Sequence, residues 1–245
     1  MRFLKLIVLC LFILRCEAEE NFLLVDGVTG EVVSELGPCV NERISPCSSF
    51  KIVLSLMGYD AEILKDEGNP IWDFQDGYDD FLESWKAPLT PRDWMNYSCV
   101  WYSKVLAAQL GSEKMQDYLS SMEYGNKDLS GDPKNVAWIN SSLKISPREQ
   151  VEFIQKMVLG KFSISSKALQ MTKAILFKKE LLGGWKLFGK TGWSGSDVGL
   201  EHGWFVGWIE KEDRFFPFAY LIREPKIKLD QRIPRVKQLL MCIHD

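Results

Sequence analysis

The sequence predicts an α+β fold: a mainly antiparallel sheet flanked by helices, with a helical insertion between its strands. Three observations predict it. The chain opens on a strand, a glycine turn and a strand, and strand texture returns three times after about residue 185. Between the two, from approximately residue 60 to 161, the pattern is mostly helical. Just before that insertion lies a run so uniformly apolar that it reads as a covered, central helix.

Each element follows in order. Residues 22–25 and 31–33 flank Asp26-Gly27-Val28-Thr29-Gly30, a hairpin signal. Ser45-Pro46-Cys47-Ser48-Ser49-Phe50-Lys51 comes next, and Pro46 suits a first helical turn, where a missing N–H costs nothing. From Phe50 to Met57 the run is almost wholly apolar, and Gly58 is expected to stop it. Loops are expected at Gly68-Asn69-Pro70, Ala87-Pro88-Leu89-Thr90-Pro91 and Gly131-Asp132-Pro133. Ser146 as cap, Pro147 in the first turn and Glu149 three residues after the cap start another helix. Strands then occupy 185–191, 203–209 and 214–222, the last two joined by a turn at Lys211-Glu212-Asp213. A final helix runs from about Pro234 to Cys242.

Composition narrows the function classes. A chain of 245 residues buries a full core, as one large domain or two interleaved ones. A net charge of −3 supplies no field for nucleic acid. Arg2 and Lys5 precede an apolar stretch from Leu6 to Leu14, followed by Cys16-Glu17-Ala18. That reads as a cleaved export signal over residues 1–18, too short to span a bilayer, with the mature chain occupying 19–245. No second long apolar run follows, so no stable membrane insertion is expected after cleavage. In an exported chain Cys39 and Cys47 either bridge a short loop beside Ser48 or stay as buried thiols. There is no CxxC, and His202 and His244 are the two histidines, so no metal site is expected.

The chemistry starts at Ser48 and Lys51, one turn apart on one helix face. An amine in apolar surroundings has its pKa pushed down, because burial disfavours the charged form. A neutral amine beside a hydroxyl, directly or after modification, makes that hydroxyl a nucleophile. Ser-x-x-Lys alone is weak: Ser141-Ser142-Leu143-Lys144 repeats it among polar neighbours. Lys190-Thr191-Gly192 closes a strand, where Lys190 and Thr191 offer a charge and a hydroxyl to a carboxylate and Gly192 leaves room for a ligand. Ser98, in Ser98-Cys99-Val100, is placed to pass protons. Each of these alone is ordinary turn or cap chemistry.

In order along one chain, Ser48-x-x-Lys51, Ser98-x-Val100, Tyr124-Gly125-Asn126, Trp138 and Lys190-Thr191-Gly192 resemble the serine β-lactamases of class D, the oxacillinase type. Ser-Cys-Val, with no Asn, favours class D over class A. The flanking Pro46-Cys47-Ser48-Ser49-Phe50-Lys51-Ile52 and Gly203-Trp204-Phe205-Val206-Gly207-Trp208 resemble the family's text as well. The resemblance covers essentially the whole mature chain. It implies the serine β-lactamase and penicillin-binding-like fold, and an exported hydrolase opening β-lactam rings through an acyl-Ser48 intermediate.

It further implies that Lys51 is carboxylated by carbon dioxide, drawn from bicarbonate, with no bound cofactor. Phe50, Val100, Trp138 and Ile139 would line the pocket that keeps the amine uncharged, and the Trp138 N–H would donate to the carbamate. Ser98 would relay a proton to the leaving nitrogen. The backbone N–H groups of Ser48 and Trp193 would form an oxyanion hole. Lys190, Thr191 and Gly192 would meet the substrate carboxylate. The family usually places an Arg four residues before a Pro near the end. Here that position, counted from Pro234, is Asp230, and Arg232 is the nearest substitute. The implied partner is a small-molecule β-lactam, the implied location periplasmic or secreted, the implied state a monomer or weak dimer. Two alternatives stay open: a sensor-type domain that acylates without fast turnover, and a penicillin-binding peptidoglycan enzyme.

Overall fold

The computed structural model describes residues 19–131, 136–195 and 199–242. The expected leader over residues 1–18 and His244 lie outside these, as do two residues of the expected loop at 131–133. Six strands form one sheet in the order β2-β1-β6-β5-β4-β3, every neighbouring pair antiparallel. They are β1 (Glu19–Val25), β2 (Val32–Leu36), β3 (Phe177–Glu180), β4 (Lys186–Ser194), β5 (Glu201–Lys211) and β6 (Arg214–Glu224). The sheet is assembled from both chain ends, with β1 pairing along β6 so that Leu23 faces Ala219.

Period-two alternation divides the strands' side chains between two cores. On β5, Trp204, Val206 and Trp208 join the larger core, while Phe205 and Ile209 join the smaller. The smaller core is closed by α7 (Arg232–Leu239), through Val236, and by Leu240. The larger receives α1 (Lys51–Asp60), α2 (Pro91–Tyr97), α3 (Val100–Leu110), α4 (Ser112–Ser121), α5 (Pro147–Val158) and α6 (Ser166–Ile175). Helix α1 is the covered helix the sequence predicts, buried from Lys51 through Tyr59.

Three local expectations need correction. Gly58 does not stop α1, which continues to Asp60. Its missing side chain instead admits neighbours, since a Cβ there would lie 2.9 Å from Leu64 and 3.1 Å from Leu106. The insertion is less helical than its pattern suggests. Residues 61–90 hold a single 3-10 turn, Glu83–Trp85, and one bridge, Trp72 to Leu89. The stretch is rich in Gly, Pro and Asp, which favour turns over helix, and aromatic stacking pins it, Trp72 lying 4.3 Å from Tyr102 and Tyr78 5.3 Å from Trp101. Between the expected insertion and the strand at 185–191 the chain forms two further elements, α6 and β3. Ser165 caps α6, but β3 is a short edge strand carrying Lys178, Lys179 and Glu180, a composition that hides a strand. The last helix begins at Arg232, two residues before Pro234. Proline is tolerated in a first turn because those N–H groups lack helical partners anyway.

Candidate active site

Ser48 sits in a 3-10 turn, Cys47–Phe50, that runs directly into α1. The turn is held from outside. Cys47 N–H donates to Trp138 O at 2.8 Å, and Ser45 Oγ donates to the same oxygen at 2.7 Å. Ser45 O accepts from His202 Nε2 and from Trp204 Nε1, each at 2.9 Å, so β5 grips the residues just ahead of Ser48. Strand β4 lies against the other side. A Cβ on residue 192 would come 2.7 Å from Pro46 O, 3.0 Å from Ser49 N and 3.3 Å from Ser48 N. Only glycine allows that approach.

Two Ser–Lys pairs meet in this cleft. Lys51, 1% exposed, directs Nζ to Ser48 Oγ at 3.3 Å. Burial pushes its amine down to about 8. Lys190, 4% exposed, donates to Ser98 Oγ at 3.0 Å and to Thr191 O at 3.0 Å. Its amine is pushed well below the ordinary lysine value, first by burial, then by the charges of Lys51 and Arg232. Ser98 closes α2 in a left-handed conformation, φ 58, between that helix and α3.

Phe50, the residue before Lys51, belongs to an aromatic cluster. The Phe50 and Trp138 rings are 4.9 Å apart, and Phe50 and Tyr124 are 5.6 Å apart. Trp138 Nε1 is buried and, among the described residues, has no hydrogen-bond partner. Such an N–H is rare and costly to leave unpaired. Ser48, Ser98, Val100, Ile139, Thr191, Gly192, Trp193 and Arg232 all line one cavity of about 530 Å³. A cavity of about 610 Å³ lies elsewhere, lined mostly by apolar residues such as Leu181, Trp185 and Met241 with Glu180 and Lys237, and holds neither Ser–Lys pair.

Arg232, the first residue of α7, is 8% exposed and lowered to about 10, chiefly by burial. Its guanidinium donates to the carbonyls of Gly192, Trp204 and Leu229, which ties α7 to the ends of β4 and β5. Asp230 is exposed on the preceding turn. The second Ser-x-x-Lys is discarded by its surroundings, Lys144 being exposed. Cys39, Cys47 and Cys99 are free thiols, which settles the open alternative for Cys39 and Cys47. Among the described residues, Glu19, Cys39 and Glu42 bring metal-ligating atoms within 4.8 Å of one another. Arg223 pairs with both carboxylates, so one cation already offsets part of their charge.

Sequence reasoning missed His202 and Trp204 as donors to Ser45 O. Trp204 stood in an expected strand and in a stretch resembling the family's text, and no local pattern announces a contact to a residue more than 150 positions away.

The penicillin binding protein transpeptidase domain family matches residues 22–240. A serine on a buried helix, a lysine one turn on and an antiparallel sheet passing beside them define this class of proteins. Within it, β-lactamase OXA-9 of Klebsiella pneumoniae is 36% identical over 212 residues, 81% of this chain and 77% of its own. β-Lactamase OXA-1 of Escherichia coli is 36% identical over 200 residues, 78% of this chain and 71% of its own. The crystal structure of the class D β-lactamase OXA-427 superposes with a TM-score of 0.82 at 37% identity, covering 92% of this chain and all of that one. The chain belongs to the class D β-lactamases.

Proposed function

We propose that the protein is an exported class D β-lactamase in which Ser48 is the nucleophile and Lys51, after carboxylation, supplies its base. The observation that carries this reading is the buried Lys51 Nζ, 3.3 Å from Ser48 Oγ, with an unpartnered Trp138 N–H buried in the same region. A lowered amine pKa keeps part of Lys51 neutral at working pH, as reaction with carbon dioxide requires. Phe50, Val100 and Ile139 supply apolar surroundings, and Trp138 a donor suited to an oxyanion. Once formed, a carbamate there supplies general-base chemistry to a hydroxyl and later to water.

The chain's own residues do the rest. Ser48 Oγ loses its proton on the Lys51 side and bonds to the lactam carbonyl carbon. The backbone N–H groups of Ser48 and Trp193 receive the developing oxyanion, a contribution of about 3 kcal/mol for a typical donor. The ring C–N bond breaks, and the nitrogen takes a proton through Ser98. Ser98 takes a proton in turn from the Lys190 ammonium, whose lowered pKa makes it a ready donor and which is left as the neutral amine until solvent reprotonates it. Arg232 then becomes the cation that faces the substrate carboxylate, with Thr191 beside it. Water cleaves the Ser48 ester and releases the opened product. Residues 1–18 are read as the leader and 19–245 as the catalytic domain, on the charged start and short apolar run of the sequence.

Mixing the purified protein with a penicillin and following the mass of Ser48 tests the reading. A transient adduct with rapid ring opening is the expected result. A lasting adduct identifies a sensor-type domain, and no adduct sinks the acyl-enzyme reading altogether.

A further inference from the structure

The turn that carries Ser48 begins on an unfavourable residue. Cys47 has φ 50, a left-handed conformation that side-chain-bearing residues rarely adopt. A turn so started needs outside support, and part of it comes from a residue no motif marks. Gln150, on α5, is 1% exposed. Its Nε2 donates to Ser49 Oγ at 3.0 Å, and its Oε1 accepts from Tyr124 OH at 3.4 Å. Ser49 Oγ in turn donates to Pro46 O at 2.7 Å.

A primary amide in a core is costly unless both its ends are used, and here both are. The result is a strap, Tyr124 to Gln150 to Ser49 to Pro46, binding the residue after Ser48 to the one two before it. Pro46 O is also the atom nearest a would-be Cβ of Gly192. The strap therefore sets the spacing between the nucleophile's turn and β4, across which the two oxyanion N–H groups must cooperate. The outer end is anchored too. Tyr124 is wedged between Phe50 and Phe153, 5.6 and 5.1 Å away. Gly125 packs on Lys144 O, and Asn126 binds Ser142 O and Lys144 N–H. Tyr124-Gly125-Asn126 thus acquires a task.

We propose that Gln150 is a positioning residue for acylation: through Ser49 it holds Ser48 Oγ and the Ser48 N–H at the geometry that ring opening requires. The inference rests on the acyl-Ser48 reading.

The test is single-turnover acylation of the full chain by a penicillin, followed as the Ser48 adduct well below the melting temperature. Gln150→Leu, which can neither donate nor accept, is expected to acylate on the order of tenfold more slowly, as small misplacements do. Gln150→Glu gives a sharper signature. A buried carboxyl has a raised pKa, and only its protonated form donates to Ser49 as the amide does. The ratio of Glu-variant to parent acylation rate is therefore expected to rise as pH falls through that pKa. A role confined to stability would lower the melting temperature and leave the ratio flat. A flat ratio, or a Leu variant that acylates at the parent rate, overturns the inference. Should the Leu variant not fold, the Glu variant decides alone. A parent that forms no adduct would end the acyl-enzyme reading instead, so the two failures are distinguishable.

Discussion

The cleft contains two serine–lysine pairs of nearly the same length, 3.3 Å for Ser48–Lys51 and 3.0 Å for Ser98–Lys190. Burial lowers the pKa of both amines. Their surroundings differ. Lys190 is satisfied by Ser98 and by the Thr191 carbonyl, so it is an amine locked into a chain of exchangeable protons. Lys51 has Ser48 as its hydrogen-bond partner, and Trp138, which packs on Phe50, has a donor with no partner among the described residues. The Lys190 amine has two acceptors and the Lys51 amine one. On the proposed reading, the same desolvation prepares the first amine to shuttle a proton and the second to be modified.

The largest break in this comparison comes from removing the modifiable amine. Lys51→Ala is expected to abolish penicillin turnover, a loss of at least the 10²–10⁴-fold typical of a missing general base. Steady-state ring opening measures it, and a variant that turns over normally would remove Lys51 from the mechanism. Next comes Lys190→Arg. A guanidinium holds its proton where a buried ammonium gives one up. If Lys190 works as the proton donor to Ser98, the variant should acylate on the order of 10²-fold more slowly. If it worked as a fixed cation, acylation would survive the exchange.

A smaller effect sharpens the Lys51 side. Carboxylation needs the neutral amine. As pH falls through about 8 that form is lost to protonation, so the bicarbonate needed for half-activity should rise about tenfold per unit below that point. Trp138→Phe removes the buried donor and should steepen the requirement at every pH, roughly tenfold for a lost hydrogen bond to a charged group. Activity indifferent to bicarbonate in both proteins would refute the carbamate.

Ser48 and Lys51 were legible because both lie within one helical turn, bounded by Pro46 and an apolar run that announces its own burial. The antiparallel sheet was legible from alternation in β5 and β6. Lys190-Thr191-Gly192 had meaning only beside the other motifs, since its partner Ser98 lies 92 residues away. Arg232 was found by counting from Pro234, but its hold on three backbone carbonyls was not. Gln150 was read merely as part of a capped helix. Residues 61–90 were misread because helix-like spacing of apolar positions cannot tell a helix from an extended segment pinned by aromatic contacts with α3. Contacts made by one side chain to a distant carbonyl leave no periodic trace, and these are what the fold supplied.

The smallest expected effect concerns the cysteines near Ser48. Cys39 and Cys47 are close enough in sequence to suggest a bridge, yet the fold sends them to different partners. The Cys39 thiol lies 3.2 Å from Glu19 Oε2, and the Cys47 thiol 3.3 Å from His202 Nε2. Both are pushed up to about 12, foremost by burial, so the nucleophilic thiolate is scarce at neutral pH. A bridge closing so short a loop would stabilise the protein by about 2–3 kcal/mol, and losing it would lower the melting temperature by several degrees. Adding reductant is therefore expected to leave the melting temperature and ring-opening rate unchanged, with peptide mapping finding Cys39 and Cys47 unlinked. A drop of several degrees, or a linked Cys39–Cys47 peptide, would show that oxidation rearranges the turn leading into Ser48 and that His202 grips something other than a thiol.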